Sequence, residues 1–224
     1  DGTTACYYER GQRLGTLELP LPGRHNLSNV TAAIGACRLE GVSFAELQQA
    51  VASLQTPGRR FDYRGCWQQR LVVDDYAHHP SEVAATLQMA RLMLNTGSSP
   101  LPQQPKRLLA VFQPHRYSRT AEFLNGFAKA LSSADAVVLA PLYSAGERPI
   151  KGICSEALGA AIKALNPQLP IAVARDNDEL AALVAQASRP GDLVLAMGAG
   201  DINGLWDRLN HLPSQEGPLS LLAA

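Results

Sequence analysis

RLLAVFQPHRYSRTAEFLNGFAKALSSADAVVLAP (residues 107–141) decides the fold. It opens on RLLAVF and closes on AVVLAP, two short and almost wholly apolar runs, with a helical pattern across 120–132 between them. Such runs suit strands buried on both faces, and two of them joined by a helix make a parallel crossover unit. The pattern continues outward. Upstream, RRFDYRGCW (59–67) and RLVVDDY (70–76) predict a hairpin, followed by a helix from about Pro80 to Leu94. Downstream come a helix near 155–165, the strand IAVA (171–174), a helix at 178–187, the strand LVLAM (193–197) and a last helix near 201–211. Short apolar strands alternating with amphipathic helices specify an α/β fold, a doubly wound and mostly parallel sheet with an antiparallel hairpin at its start.

The first quarter of the chain has another texture. TACYYE (4–9) and LGTLEL (14–19) read as strands joined by a tight turn. NLSNVTAAIGACRLEG (26–41) reads as an Ala-rich helix, and a second helix follows from about Ser43 to Leu54. Pro57 and Gly58 in TPGRR break the helical pattern, so a boundary and a hinge are expected near 56–58. NTGSSPLPQQP (95–105) is a loose loop by composition, and residues 212–224 are expected to be a flexible tail.

Composition narrows the functional classes. A chain of 224 residues with 46% hydrophobic content can hide about 70–75% of its unfolded surface and build a real core. Twenty Lys and Arg balance twenty Asp and Glu, which argues against bulk electrostatic binding of nucleic acid or of an anionic membrane. No apolar run approaches the roughly 20 residues of a membrane helix. Cys6, Cys37, Cys66 and Cys154 form no C-x-x-C pair, so no disulfide framework or zinc site is suggested and a reducing cytoplasm is the simplest setting.

Ligands of open α/β sheets bind beyond the carboxyl ends of the strands. Three loops there are chemically loaded. In Asp74-Asp75-Tyr76-Ala77-His78-His79-Pro80 a carboxylate could accept from ribose hydroxyls while a histidine orients or deprotonates a substrate group. Equally, Asp75 could cap a turn and His79 a helix, and a metal site is a third option. In Gln113–Thr120, Arg116 and Arg119 stand three apart beside a helix N-terminus, in outline a carboxylate or phosphate pocket, or else a solvated Arg pair. In Tyr143–Pro149, Glu147 could pair with an Arg, contact substrate or face solvent. Gly198-Ala199-Gly200 resembles a phosphate cradle but lacks the third glycine of the dinucleotide fingerprint, and a tight turn explains it. Asn26 and Asn29 share one side of a first helical turn, where amides can read a heterocycle edge; N-capping by Asn26 would explain only one of them. Arg59 and Arg60 could answer a triphosphate across a hinge or simply snorkel.

Taken in order, GRHNLSNVTAA (23–33), TPGRRFDYRG (56–65), VVDDYAHHPSEV (72–83), FQPHRYSRT (112–120) and YSAGERP (143–149) resemble the carboxyl-terminal half of the Mur ligases, in the type that joins L-alanine to UDP-N-acetylmuramate. The resemblance runs from about residue 14 to about residue 209. It implies a cytoplasmic peptidoglycan-synthesis enzyme in which ATP activates the lactyl carboxylate of UDP-N-acetylmuramate as an acyl phosphate and the amine of L-alanine displaces phosphate. It also implies the end of a central ATP-binding domain at 1–56 and a Rossmann-like amino-acid-binding domain at 57–211. By motif, Asn26 and Asn29 would contact the adenine side of ATP, Asp75 the ribose and Arg60 the terminal phosphate. His78 with Arg60 would serve catalysis, and Tyr76, His115, Arg116 and Arg119 would join His78 around L-alanine.

The sequence also departs from the family. G-x-x-G-K-[ST] is absent from it, and the family's central-domain ligands for Mg2+ and its UDP-sugar domain have no counterpart in it. The expectation is therefore a portion of a longer ligase, completed by amino-terminal and central domains and inactive by itself. Two other classes compete: a nucleotide-binding regulatory or interaction module that lost the chemistry, and a hydrolase built on Asp74 to His79.

Overall fold

The computed structural model describes residues 2–54 and 58–212, so most of the hinge expected near 56–58 and all but the first residue of the tail expected at 212–224 lie outside the described residues. Strands β1 (Thr3–Glu9) and β2 (Gln12–Leu19) form an antiparallel hairpin. Its turn residues Arg10 and Gly11 have φ of 51° and 82°, the mirror-image turn that matches strand twist. Helices α1 (Arg24–Leu39) and α2 (Phe44–Ala52) follow, and Leu17, Leu19, Val30, Ile34 and Val51 close a small core. Ser43 and Glu46 cap α2 reciprocally, as the S-x-x-E spacing requires. The capping role considered for Asn26 does not hold. Helix α1 starts after Gly23, and the Asn26 amide in its first turn donates to the Pro22 carbonyl at 2.8 Å.

The rest of the chain is the expected doubly wound unit. A hairpin of β3 (Asp62–Trp67) and β4 (Arg70–Asp75) leads into α3 (Pro80–Thr96), β5 (Arg107–Phe112), α4 (Tyr117–Leu131) and β6 (Ala136–Leu139). Then come α5 (Ser155–Leu165), β7 (Ile171–Val173), α6 (Asn177–Ala187), β8 (Asp192–Met197), a 3-10 turn (Asp201–Gly204) and α7 (Leu205–His211). The sheet order is β3-β4-β8-β5-β6-β7, antiparallel at β3 and parallel elsewhere. Alternation along the strands divides the core into two layers. Val73, Ala110, Phe112, Leu139 and Leu195 pack with α3, α4 and α5, while Val72, Val111, Val138 and Val194 pack with α6 and α7.

Two expectations change. The last helix is split, its first turn being 3-10. The loop at 97–105 is pinned rather than loose, because Leu101 joins the core and the Gln104 amide donates to Met93 O at 2.7 Å. The winding positions the site. The chain passes from β4 to β5 along one face and returns from β7 along the other to insert β8 between them. The loops after β4, β5, β6 and β8 therefore share one edge, at the point where strand order reverses.

Candidate functional site

The two carboxylates that end β4 organise the entrance to this edge. Asp74 is buried and ion-paired with Arg59 Nε at 2.9 Å, and Arg59 also donates to Gly198 O at 2.7 Å. Asp75 accepts from the backbone N–H of Ala77 and of Phe61, each at 2.8 Å. The first of these bonds is the turn-capping role weighed for Asp75; the second ties down the incoming chain. Burial raises both carboxyls above their ordinary range, against Arg59 at Asp74 and against the two N–H donors and Arg60 at Asp75. Arg59 thus neither snorkels nor faces a ligand across a hinge: it is the counter-ion of Asp74. Its neighbour Arg60 is left beside a cleft.

That cleft, about 470 Å³, runs between the start of α1 and the start of α3. Asn26, Asn29, Arg60 and Asp75 all line it, together with His25 and Glu82. Three separated sequence motifs are thereby brought to one cavity. Asn26 and Asn29 enter it because the first turn of α1 presents them on one side.

Next to the cleft, four rings form a row across the loops after β4, β5 and β6. Tyr76 meets His78 edge-on with centroids 5.1 Å apart, His78 meets His115 at 6.1 Å, and His115 stacks on Tyr143 at 5.4 Å. Backbone bonds hold the last pair in register: Arg116 N donates to Tyr143 O, and Tyr143 N to Pro114 O, both at 2.8 Å. Arg60 lies 5.8 Å from the Tyr76 ring, which joins the row to the cleft.

Hydrogen bonding fixes the two imidazoles differently. His78 Nδ1 is 2.8 Å from the Tyr76 carbonyl, which only accepts, so Nδ1 carries the proton and the neutral ring keeps its lone pair on Nε2. His115 Nδ1 is 3.4 Å from Arg119 Nη1, which only donates, so its proton sits on Nε2. Burial first, then Arg119, His78 and Arg116, push the His115 pKa below the ordinary imidazole value, against the opposing charge of Glu147.

Arg116 is positioned otherwise than its spacing suggests. It precedes α4 with φ 71° and offers no side-chain cap. Glu147 supplies the cap, accepting from Ser118 N at 2.9 Å and Ser118 Oγ at 2.7 Å, and pairs with Arg116 Nε at 3.0 Å. The anion pocket expected at this N-terminus is therefore filled in part by the chain's own carboxylate. The glycines 198 and 200 serve packing: a Cβ on Gly200 would stand 2.4 Å from Gln113 Oε1 and 2.7 Å from the Tyr143 ring.

Two contributors were not singled out from sequence. Glu82 accepts from the N–H of His78 and His79 at 3.0 and 3.1 Å and lies 3.3 Å from His78 Nδ1. Burial alone would raise its carboxyl, but the His78 N–H and ring, the His79 N–H and Arg60 hold it low. Its signal was the spacing from His79, which does cap α3. Gln113, buried, donates to Asp201 Oδ1 at 2.6 Å and accepts from Ile202 N at 3.1 Å, joining the β5 and β8 loops.

Comparison with known proteins agrees with this geometry. The family model described as Mur ligase, glutamate ligase domain, matches residues 59–200. The UDP-N-acetylmuramate–L-alanine ligase of Synechococcus sp. (strain CC9311) is 64% identical over 217 residues, covering 97% of this chain and 44% of that relative. Its counterpart in Prochlorococcus marinus (strain MIT 9313) is 61% identical over 224 residues, 100% of this chain and 46% of the relative. The chain thus spans under half the length of these relatives. Among solved structures, the UDP-N-acetylmuramate-alanine ligase MurC of Thermotoga maritima superposes with a TM-score of 0.69 at 26% identity, over 92% of this chain and 42% of that one. The sheet order, the loop chemistry and these matches together make the chain a member of the Mur ligase family.

Proposed function

We propose that this chain is the carboxyl-terminal half of an ATP-dependent ligase that joins L-alanine to the lactyl carboxylate of UDP-N-acetylmuramate in the cytoplasm. The observation that carries this reading is Glu82, which lines the cleft with Arg60 and at the same time holds His78. A phosphate at the Arg60 end of the cleft and an amine at His78 would be neighbours, as acyl-phosphate aminolysis requires. Residues 1–56, with Asn26 and Asn29, would be the end of the ATP-binding domain, and residues 57–211 the amino-acid-binding domain.

The chemistry assigned to each residue follows from its donors and acceptors. A carboxylate is too poor an electrophile for an amine until phosphorylation supplies a leaving group. Arg60 would hold that phosphate as charge develops on it. L-Alanine enters as a zwitterion, and its ammonium must lose a proton before attack. His78 Nε2 carries the lone pair that can take it. Arg119, the Nη groups of Arg116 and the Nε2–H of His115 are donors for the substrate carboxylate. Tyr76 and the histidine rings bound the space left for the methyl group. Asp75 would accept from the ribose beside its two backbone bonds, and the Asn26 and Asn29 amides would read the adenine edge.

Among the described residues no group of three or more His, Cys, Asp or Glu could hold a metal ion. We place the ligands of the Mg2+ that accompanies ATP in the amino-terminal part of the ligase and route no step through them. No described helix is long and apolar enough to cross a membrane. All four cysteines are free.

ADP release by the full-length ligase tests the reading. Turnover is expected to require both UDP-N-acetylmuramate and L-alanine. Asn26→Ala is expected to raise KM for ATP about tenfold, the loss of roughly one hydrogen bond, and to leave KM for L-alanine unchanged. ADP release indifferent to L-alanine, or a shift in KM for L-alanine instead of ATP, would overturn it.

A further inference from the structure

We infer that Glu147 is a positioning residue for the incoming amino acid, acting through Arg116. This rests on the amino-acid pocket proposed above. The loop after β6 is built to deliver Glu147 to one place. Ala145 and Gly146 have φ of 49° and 83°, a turn that folds the chain back and is closed by Glu147 N donating to Ser144 O at 3.0 Å. The loop's start is fixed by the two backbone bonds between Tyr143 and the Pro114–Arg116 strand end. At the tip, the Glu147 carboxylate accepts from Ser118 N and Ser118 Oγ and is ion-paired with Arg116, whose Nε lies 3.0 Å away.

This arrangement is a brace and not a substrate mimic waiting to be displaced. Removing the carboxylate would strip α4 of the one side-chain cap it has among the described residues, since Arg116 at the N-cap position supplies none. Glu147 engages Arg116 at Nε, which leaves the guanidinium's outer edge, Nη1 and Nη2, to form a fork on a second carboxylate. The Arg116 side chain is 48% exposed and that of Glu147 21%, so the brace is the inner partner. Without it a long, half-exposed arginine beginning at a left-handed backbone would sample many rotamers. Lost preorganisation weakens binding of the group it should meet.

A double-mutant cycle in the full-length ligase tests this, with KM for L-alanine, kcat and KM for ATP measured for each variant. Glu147→Gln is expected to raise KM for L-alanine about tenfold while kcat and KM for ATP change less than threefold, and Glu147→Asp to recover part of the loss. In an Arg116→Ala background, Glu147→Gln is expected to add less than a twofold further rise. Equal effects of Glu147→Gln with and without Arg116 would overturn the brace and leave the pocket standing. An Arg116→Ala enzyme with unchanged KM for L-alanine would overturn the pocket itself, and the brace with it.

Discussion

His115 shows how one side chain's protonation follows from its neighbours. Its ring is half-buried, with Arg119 Nη1 at 3.4 Å and the His78 ring at 6.1 Å. Burial and the cations around it lower its pKa. An imidazole lowered on folding contributes stability that is whole above its ordinary value of about 6.5 and is lost as pH falls through the folded value. Replacing Arg119 by Gln removes a cation but not the burial. The His115 midpoint, followed by NMR of its ring protons, is therefore expected to move part of the way back towards the ordinary value; an unmoved midpoint would mean that Arg119 takes no part in setting it. The arginine at this strand end was legible in the sequence, but its partner was not. Spacing paired Arg119 with Arg116, whereas the structure pairs it with His115, because the left-handed backbone at Arg116 and a carboxylate 31 positions later turn Arg116 aside.

At the scale of elements, the strands and helices were readable and their neighbours were not. RLLAVF and LVLAM announce buried strands by composition, yet nothing local in either says that β8 inserts between β4 and β5. That order is set by long-range burial on both faces of the sheet. The helical pattern across 120–132 omits the first turn of α4, which begins at Tyr117 and is capped from far away by Glu147. Asp135 is a comparable joint. It accepts both arms of Arg91 from α3, at 2.7 and 2.9 Å, and the Leu108 N–H from β5 at 2.8 Å. Burial opposes its charge, but Arg91 and the Leu108 N–H prevail and lower its pKa. A lowered carboxyl contributes stability above its unfolded value, lost as pH falls through its folded value. Asp135→Asn is expected to cost about 1–3 kcal/mol at neutral pH, measured by urea unfolding. The gap between wild type and variant should narrow as pH falls into the acid range; a constant gap would show that charge is not what Asp135 contributes.

For the molecule as a whole, the site depends on how the chain enters the large sheet. Arg59 sits at that entrance with φ 61°, its Nε on Asp74, its Nη2 on Gly198 O and its own carbonyl accepting from Tyr76 N at 2.7 Å. One residue thereby fastens the incoming segment to β4 and to the loop after β8, and it holds Arg60 beside Tyr76 and the cleft. Asp74 needs this partner, because among the described residues its Oδ1 has no hydrogen bond. Arg59→Ala would leave a buried carboxylate uncompensated, a loss of about 3 kcal/mol, near the low end for such pairs because the Arg59 side chain is 21% exposed. The loss should depend on pH with a definite sign. Burial already raises the Asp74 pKa, and removing Arg59 raises it further. Between the unfolded and the raised folded value the folded state binds more protons, so stability falls as pH rises through that window. Urea unfolding of Arg59→Ala should therefore show a larger deficit at pH 7 than at pH 5, and adding Asp74→Asn should recover most of it at pH 7. A deficit equal at both pH values, or untouched by the second substitution, would assign the role of Arg59 to its bond with Gly198 and not to the charge of Asp74.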